Sequence, residues 1–516
     1  MSTDNKDIEI SHIETNVDDQ LDKKSIEKPP SINEELRHNL EIPDEIKHLS
    51  EDELKILEKK TRRKIDIRIL PMLVYIYILN YLDRNNIASA RLGGLEEDLG
   101  LKGNQYQTCI SILFVGYILM QIPSNMIVNK IGRPSLFITV IMTIWAIIST
   151  CTGAVQNYPG LVVARLLLGF VEAGFFGSAL YYLSCWYSRT ELSLRNAVLY
   201  SGSLFSGALS GLIASGIIDR MDGVKGLRSW RWLFIIEGAI TCASVPLAYL
   251  ILPDMPHNSK FLNEQERAFI LWKLRKEVGQ DDSDQENKES YASTMLLTFK
   301  DIKVWAITGI LSFLVAAAGV TNFFPSVVQT LNFDRVTTLG LTVPPYMLAV
   351  IATFIWARHA DKTGERFWHV VFPLFLALIS FIIAVATTNT GARYFAMCLM
   401  IPSIYCSFTT ILSWMSNCVP RPPLKRAIAI STMNCLSNST SIWNSYLYPS
   451  SAEPRYLVAF VCNCVFVVCS MCIALVLRTR LMILNKKIET GTMEWEKELG
   501  KGNDGSKISP EFRYLY

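Results

Sequence analysis

Several things that would mark a soluble, secreted or nucleic-acid-binding protein are missing from this chain of 516 residues. Net charge is nearly absent. Lys and Arg number 50 against 47 Asp and Glu, a formal +3, which gives no reason to expect a nucleic-acid partner. The first 60 residues are charged and polar, with no apolar run of the kind a cleavable signal peptide needs, so none is expected. The 12 cysteines have no His or carboxylate neighbours that would complete a metal set. They fall within or beside apolar stretches, four of them in the last (Cys462, Cys464, Cys469, Cys472), and read as small helix-packing residues with no disulfide framework. No nucleophile–base pair stands out, so neither an enzyme nor a cofactor is expected.

Apolar length is what the chain has in quantity. Half of its residues are hydrophobic and the mean hydropathy is +0.25. A spanning helix needs roughly 20 mostly apolar residues. About twelve such segments begin near residues 68, 108, 134, 160, 196, 231, 304, 338, 367, 393, 426 and 456. The fold class expected is therefore an all-α membrane protein with 12 transmembrane helices in two six-helix bundles. The division along the chain is a cytoplasmic N-terminal tail over 1–60, a first bundle over 61–253, a cytoplasmic central loop over 254–300, a second bundle over 301–482 and a cytoplasmic tail over 483–516. Six spans, a loop and six spans is the layout of two homologous halves. Residues 1–31 are polar enough to predict disorder. Ser50 and Glu53 form a capping box before a charged helix, as do Asn263 and Glu266 before the loop helix FLNEQERAFILWKLRKE. The run GQDDSDQENKES after it reads as unstructured. Basic residues before the first span and after the last predict that both termini face the cytoplasm.

Four charged residues interrupt the apolar stretches: Asp83 and Arg84 in the first, Arg165 and Glu172 in the fourth. Ionisable groups at membrane depth are costly and by default mark a substrate or ion pathway. Two acids and two bases sum to zero, so the set can neutralise itself without a ligand. Arg165 and Glu172 stand two helical turns apart, about 10 Å of rise, too far to pair directly. Each is expected to find its opposite in Asp83 or Arg84, giving a fully paired network. Protonating one acid frees an arginine, which a carboxylate can then grip through two hydrogen bonds. One proton plus one monoanion restores neutrality. The second half offers no buried charge of that kind. Its polar positions Asn322, Ser407, Thr409, Asn434 and Asn438, with Phe324, Tyr346 and Trp443 nearby, are expected to line the other side of a central cavity.

After the eighth span, Asp361, Lys362, Gly364 and Arg366 match the Asp-Arg/Lys-x-Gly-x-Arg loop of the major facilitator superfamily. The equivalent loop after the second span holds Asn129, Lys130, Gly132 and Arg133, with Asn129 in place of the acid. Arg165, Gly169 and Ala173 follow the superfamily's Arg-x-x-x-Gly-x-x-x-Ala pattern. The strings NYLDRNNIASARLGGLEEDLGL, WRWLFIIEG, NSYLYPSSAEPRY and FRYLY resemble fungal members of its anion:cation symporter family, the allantoate permease group. That resemblance implies proton-coupled import of a small organic anion such as nicotinate, pantothenate, biotin or allantoate; a monomer in the lipid bilayer is expected, and, as no retention or vacuolar sorting signal stands out, in the plasma membrane. The resemblance also implies that Arg84 contacts the anion and that Asp83 and Glu172 carry protons; from their own chemistry, Arg165, Asn322, Asn434 and Asn438 are expected as further substrate positions. The two inner loops would act as gates. Span five contains Gly202, Gly207, Gly211 and Gly216, which read as close packing, and lacks the proline of antiporters. A drug or cation antiporter and a non-transporting sensor of the same fold stand as the alternatives.

Overall fold

The computed structural model describes residues 42–282, 291–419, 423–493 and 513–516, and every regular element among these is helical. The expected disorder of residues 1–31 lies outside the described residues. The first long helix, α1, runs Glu51–Leu92. It starts where the sequence says it should: the Ser50 hydroxyl accepts from the Glu53 amide at 3.4 Å, and the Glu53 carboxylate accepts from the Ser50 amide at 2.9 Å. Its 42 residues make about 63 Å of helix, twice a bilayer core. The charged stretch before the first span is thus not a separate helix but the projecting end of α1, and the boundary expected at residue 60 falls inside it.

Five more helices complete the first half: α2 (Gln105–Ile131), α3 (Pro134–Thr152), α4 (Tyr158–Trp186), α5 (Arg189–Arg220) and α6 (Ser229–Ile251). The second half holds α7 (Ile302–Ala317), α8 (Val343–Thr363), α9 (Phe367–Ala386), α10 (Thr390–Cys418), α11 (Pro423–Asn444) and α12 (Leu457–Glu489). α7 continues through the 3-10 turn Ala318–Phe323 into a short helix, Phe324–Gln329, and the helix Arg335–Leu341 leads into α8. Among the described residues, ten helical segments are long and apolar enough to cross a membrane.

Within the first half α1 packs on α5 and α6, α2 on α4, and α3 on α4 and α6. Within the second, α7 packs on α11 and α12, α9 on α10 and α12, and α8 on α10. The α2–α4 contact is backbone to backbone: a Cβ on Gly169 would lie 2.1 Å from the Leu113 carbonyl oxygen, and one on Gly116 2.5 Å from that of Leu166. The halves meet through α5 against α8 and α2 against α11. On α5, Gly207 and Gly211 admit the Tyr346 ring and the Thr342 hydroxyl of the opposite half. Gly216 has open space around it, so the close-packing reading fails at that position.

Both tails emerge at one end of the molecule. There the linker helix Glu264–Asp282 lies against the projecting end of α1. Lys273 bonds Glu58 at 2.7 Å and Glu191 at 3.0 Å, and Lys64 bonds Glu266 at 2.8 Å. This helix runs further than expected, through Gly279 to Asp282; the remainder of the polar run, 283–290, lies outside the described residues. α12 likewise continues past residue 482 to Glu489. Residues 513–516 return to the second half, where Asn485 bonds the Tyr514 backbone on both sides and the Trp414 indole donates to the Leu515 carbonyl.

Side-chain hydrogen bonds join the halves at the far end. Arg91 reaches Ser326 at 3.1 Å and Glu453 at 3.4 Å, and Gln107 donates to the Tyr448 carbonyl at 2.9 Å. Phe323 stacks on Tyr448 with ring centres 4.8 Å apart, and Tyr106 meets Phe323 edge-on.

Candidate functional site

Asp83 and Arg84 sit deep in α1, and Arg165 and Glu172 lie on the face of α4 turned towards them. Asp83, Arg165 and Glu172 are each almost fully buried, while the Arg84 side chain keeps 13% of its exposure. Arg84 and Glu172 form the pair that the sequence predicts: Nη2 and Nε both donate to Glu172 Oε2, at 2.9 and 3.0 Å. Such two-point contact holds the guanidinium in one plane. Tyr81 and Tyr117 flank it, each ring centre 4.9 Å from the guanidinium carbon.

The other half of the expected network does not form. Asp83 accepts from Ser149 of α3 at 2.5 Å instead of binding Arg165. Arg165 donates from Nη2 to the Arg84 carbonyl at 3.3 Å, and its Nε and Nη1 have no hydrogen-bond partner among the described residues. The cause is geometric. Neighbours on a helix diverge by about 100°, so when Arg84 points at α4, Asp83 turns towards α3 and α6. A further acid overturns the neutral sum. Glu237, midway along α6, is 2% exposed, and neither of its carboxylate oxygens has a hydrogen-bond partner among the described residues.

Aromatic rings surround the pair, and the sequence reading passed over them. Tyr77 meets Tyr81 edge-on at 4.9 Å and stacks on Phe176 at 5.6 Å. Tyr200 of α5 stacks on Phe408 of α10 at 5.1 Å, carrying the aromatic wall into the second half. Tyr77, Tyr81 and Arg84 follow one another at helical spacing, which is the signal that would have found them.

In the second half Asn322 lies in the 3-10 break of α7, and Asn434 and Asn438 lie on α11; all three are half-buried. Ser407 and Thr409 are satisfied by carbonyls of their own half, those of Val370 and Tyr405. Phe324 and Tyr346 pack against each other. Trp443 does not join them: it is 45% exposed and rests edge-on against Phe466 of α12, on the outer surface. The buried charges described in this half lie at helix ends. Lys425 and Lys303 flank Asp301, Lys425 at 2.7 Å, and Arg393 bonds the Pro454 carbonyl at 2.9 Å.

The two inner loops share one backbone solution. Gly132 ends α2 and Gly364 ends α8, both in the left-handed region at φ +64° and +69°, each amide donating four residues back. Asp361 pairs with Arg366 at 2.8 Å, and Lys362 is exposed. Lys130 and Arg133 are exposed; the Asn129 side chain lies outside the described residues.

Residues 73–442 match the family description of the Major Facilitator Superfamily. The chain belongs to that superfamily. It is 32% identical to the MFS-type transporter efuF of Hormonema carpetanum over 80% of this chain and 83% of that one. It is 30% identical to the major facilitator-type transporter hxnP of Emericella nidulans over 89% and 93%. A protein of Agrobacterium vitis named for tartrate transport is 32% identical over 74% and 86%. Among solved structures, a bacterial homologue of the human lysosomal transporter Spinster matches with a TM-score of 0.63 at 14% identity, covering 80% of this chain and 97% of that one. The xylose transporter XylE of Escherichia coli matches at 0.58 and 16% identity, covering 78% and 96%. This facilitator is thus a multi-pass membrane protein and a secondary transporter of the superfamily's kind.

Proposed function

We propose that this transporter imports a small organic monoanion together with a proton, across a plasma membrane with both tails cytoplasmic. The observation that carries the reading is Arg84, a guanidinium deep in the fold that remains partly exposed and is held by one acid, Glu172. When Glu172 takes a proton, the guanidinium is released and a substrate carboxylate can replace it in the same plane. The tyrosines and phenylalanines around it favour a carboxylate on a flat ring, which places nicotinate first, ahead of pantothenate, biotin and allantoate. Asn322, Asn434 and Asn438 face the anion from the second half, and the loops at Gly132 and Gly364 latch helix ends as the halves rock. The bundle limits at 61–253 and 301–482, with α1 and α12 projecting beyond them, belong to the same proposal.

A dicarboxylate is the second reading. A relative named for tartrate transport points to it, and the unpartnered Nε and Nη1 of Arg165 could hold the second charge if that side chain turned. Uptake of labelled nicotinate, pantothenate, biotin, allantoate and tartrate by a permease-null fungal strain expressing the chain separates the two. Arg84→Lys is expected to abolish uptake, because an ammonium cannot reproduce the planar grip. Glu172→Gln is expected to uncouple accumulation from pH while leaving exchange. Full uptake by Arg84→Lys would place the carboxylate elsewhere.

A further inference from the structure

Behind Asp83, on the side away from Arg84, three helices enclose a patch of polar atoms that the anion site does not use. α1 contributes Asp83 and Asn86, α3 contributes Trp145 and Ser149, and α6 contributes Glu237; all are nearly or fully buried. Only the Ser149–Asp83 bond satisfies any of this group. Asp83 Oδ2, both polar atoms of the Asn86 carboxamide, the Trp145 indole nitrogen and both Glu237 oxygens lack hydrogen-bond partners among the described residues. Asp83 is the charge that acts on Glu237, with the Asn86 carboxamide beside them. From α3 the facing groups are neutral. Asp83 in turn feels Glu172 and Arg165. Next to Glu237, α6 approaches α3 closely: a Cβ on Gly238 would fall 2.2 Å from the Thr150 hydroxyl, which leaves little room for water.

Charge counting then gives a result different from that of the four residues found by sequence. Asp83, Glu172 and Glu237 carry three negative charges when ionised, and Arg84 and Arg165 carry two positive ones. Two facing carboxylates without a cation between them cannot both stay ionised in low dielectric. We propose that Asp83 and Glu237 share one exchangeable proton, forming a second protonation site behind the anion site. The proton resides on one carboxyl or the other and leaves the pair with a single negative charge. When an anion displaces Glu172 from Arg84, Glu172 needs a proton, and this pair holds the nearest one; a proton from solution then refills it. The net exchange stays at one proton per monoanion.

This rests on the symport reading for its purpose, but the proton itself is testable without transport. Infrared titration of the full chain in lipid bilayers should reveal a carbonyl band of a buried protonated carboxyl at neutral pH that disappears on alkalinisation. Glu237→Gln should lose that band. Glu237→Asp, which keeps the acid, should retain a titrating band at a shifted frequency and serves if the Gln variant does not fold. A wild-type band that never titrates, or a titrating band unchanged in Glu237→Gln, overturns the shared proton. Failure of every labelled anion to be taken up, with the infrared result intact, would sink the symport reading alone.

Discussion

Glycine positions in this fold fall into three physical situations, and substitution should separate them. Gly132 and Gly364 need the left-handed region, where a Cβ has space but the backbone is strained, so Ala should cost about 1 kcal/mol at each. Gly169 has ordinary dihedrals but no room, with a carbonyl oxygen 2.1 Å from any Cβ; Ala there should cost about 1–3 kcal/mol or more. Gly216 has neither constraint, and Ala should be neutral or slightly stabilising. Melting temperatures of the purified variants order the three classes, and Gly169→Ala as stable as Gly216→Ala would refute the packing argument. The sequence marked Gly132, Gly364 and Gly169 through motifs, but it could not tell strain from close approach. The charged residues were equally legible one at a time, since each breaks an apolar run. Their pairing was not, because it depends on which way each side chain leaves its helix. Glu237 met the same criterion as the other four and was hidden inside a string that already carried a resemblance.

Among elements, the linker helix Glu264–Asp282 is held by ions as well as by the buried side chains of Phe269 and Ile270. Burial pushes the Glu191 carboxyl up, but the Lys273 hydrogen bond and charge and the Ser188 cap outweigh it and hold Glu191 below the ordinary carboxylate range. Burial likewise opposes, and the Lys64 bond with the Asn263 amide overcomes, the shift that leaves Glu266 lowered. For Lys273, burial acts downward and the bonds to Glu58 and Glu191 prevail, so it is raised. A lowered acid contributes stability above its unfolded value, about 4.3, and loses it as pH falls through its folded value. A raised lysine contributes until pH climbs past its ordinary value of about 10.4. Docking of this helix should therefore be constant from about pH 5 to 10 and weaken below about pH 4. Hydrogen exchange or protease cleavage at the linker across this range checks the sign; protection that rises on acidification would contradict it. The capping box at Ser50 and the Glu266 half of the one at Asn263 were readable because caps are local. That the first helix and the first span would fuse into one rod was not, since Pro71, a residue that by itself signals a helix end, is carried inside the helix.

Over the whole molecule, the halves are latched by Arg91, Gln107 and the ring of Tyr106 against Phe323 at the end away from the tails. Arg91→Ala removes the bonds to Ser326 and Glu453 together, and should shift the population towards states open at that end. A single cysteine introduced at Thr108, beside this seam, should then react faster with a membrane-impermeant maleimide added from the side opposite the tails. An unchanged rate would mean that Gln107 and the Tyr106–Phe323 contact close the seam without Arg91. The twelve-helix layout itself was legible from apolar length and the central polar loop, because a bilayer imposes length on every span. The closed end was not, since it is made by residues up to 362 positions apart. One rod runs through all of this: α1 bonds the linker through Glu58 and Lys64, carries Asp83 and Arg84 at mid-depth, and ends at Arg91. Inserting one residue between Lys64 and Asp83 would rotate everything beyond it by about 100° and advance it about 1.5 Å. A substitution at an outward position of that stretch, such as Ile67→Ala, should be tolerated, whereas adding or removing one residue at the same place should not, so the two changes at one position should give opposite outcomes in uptake.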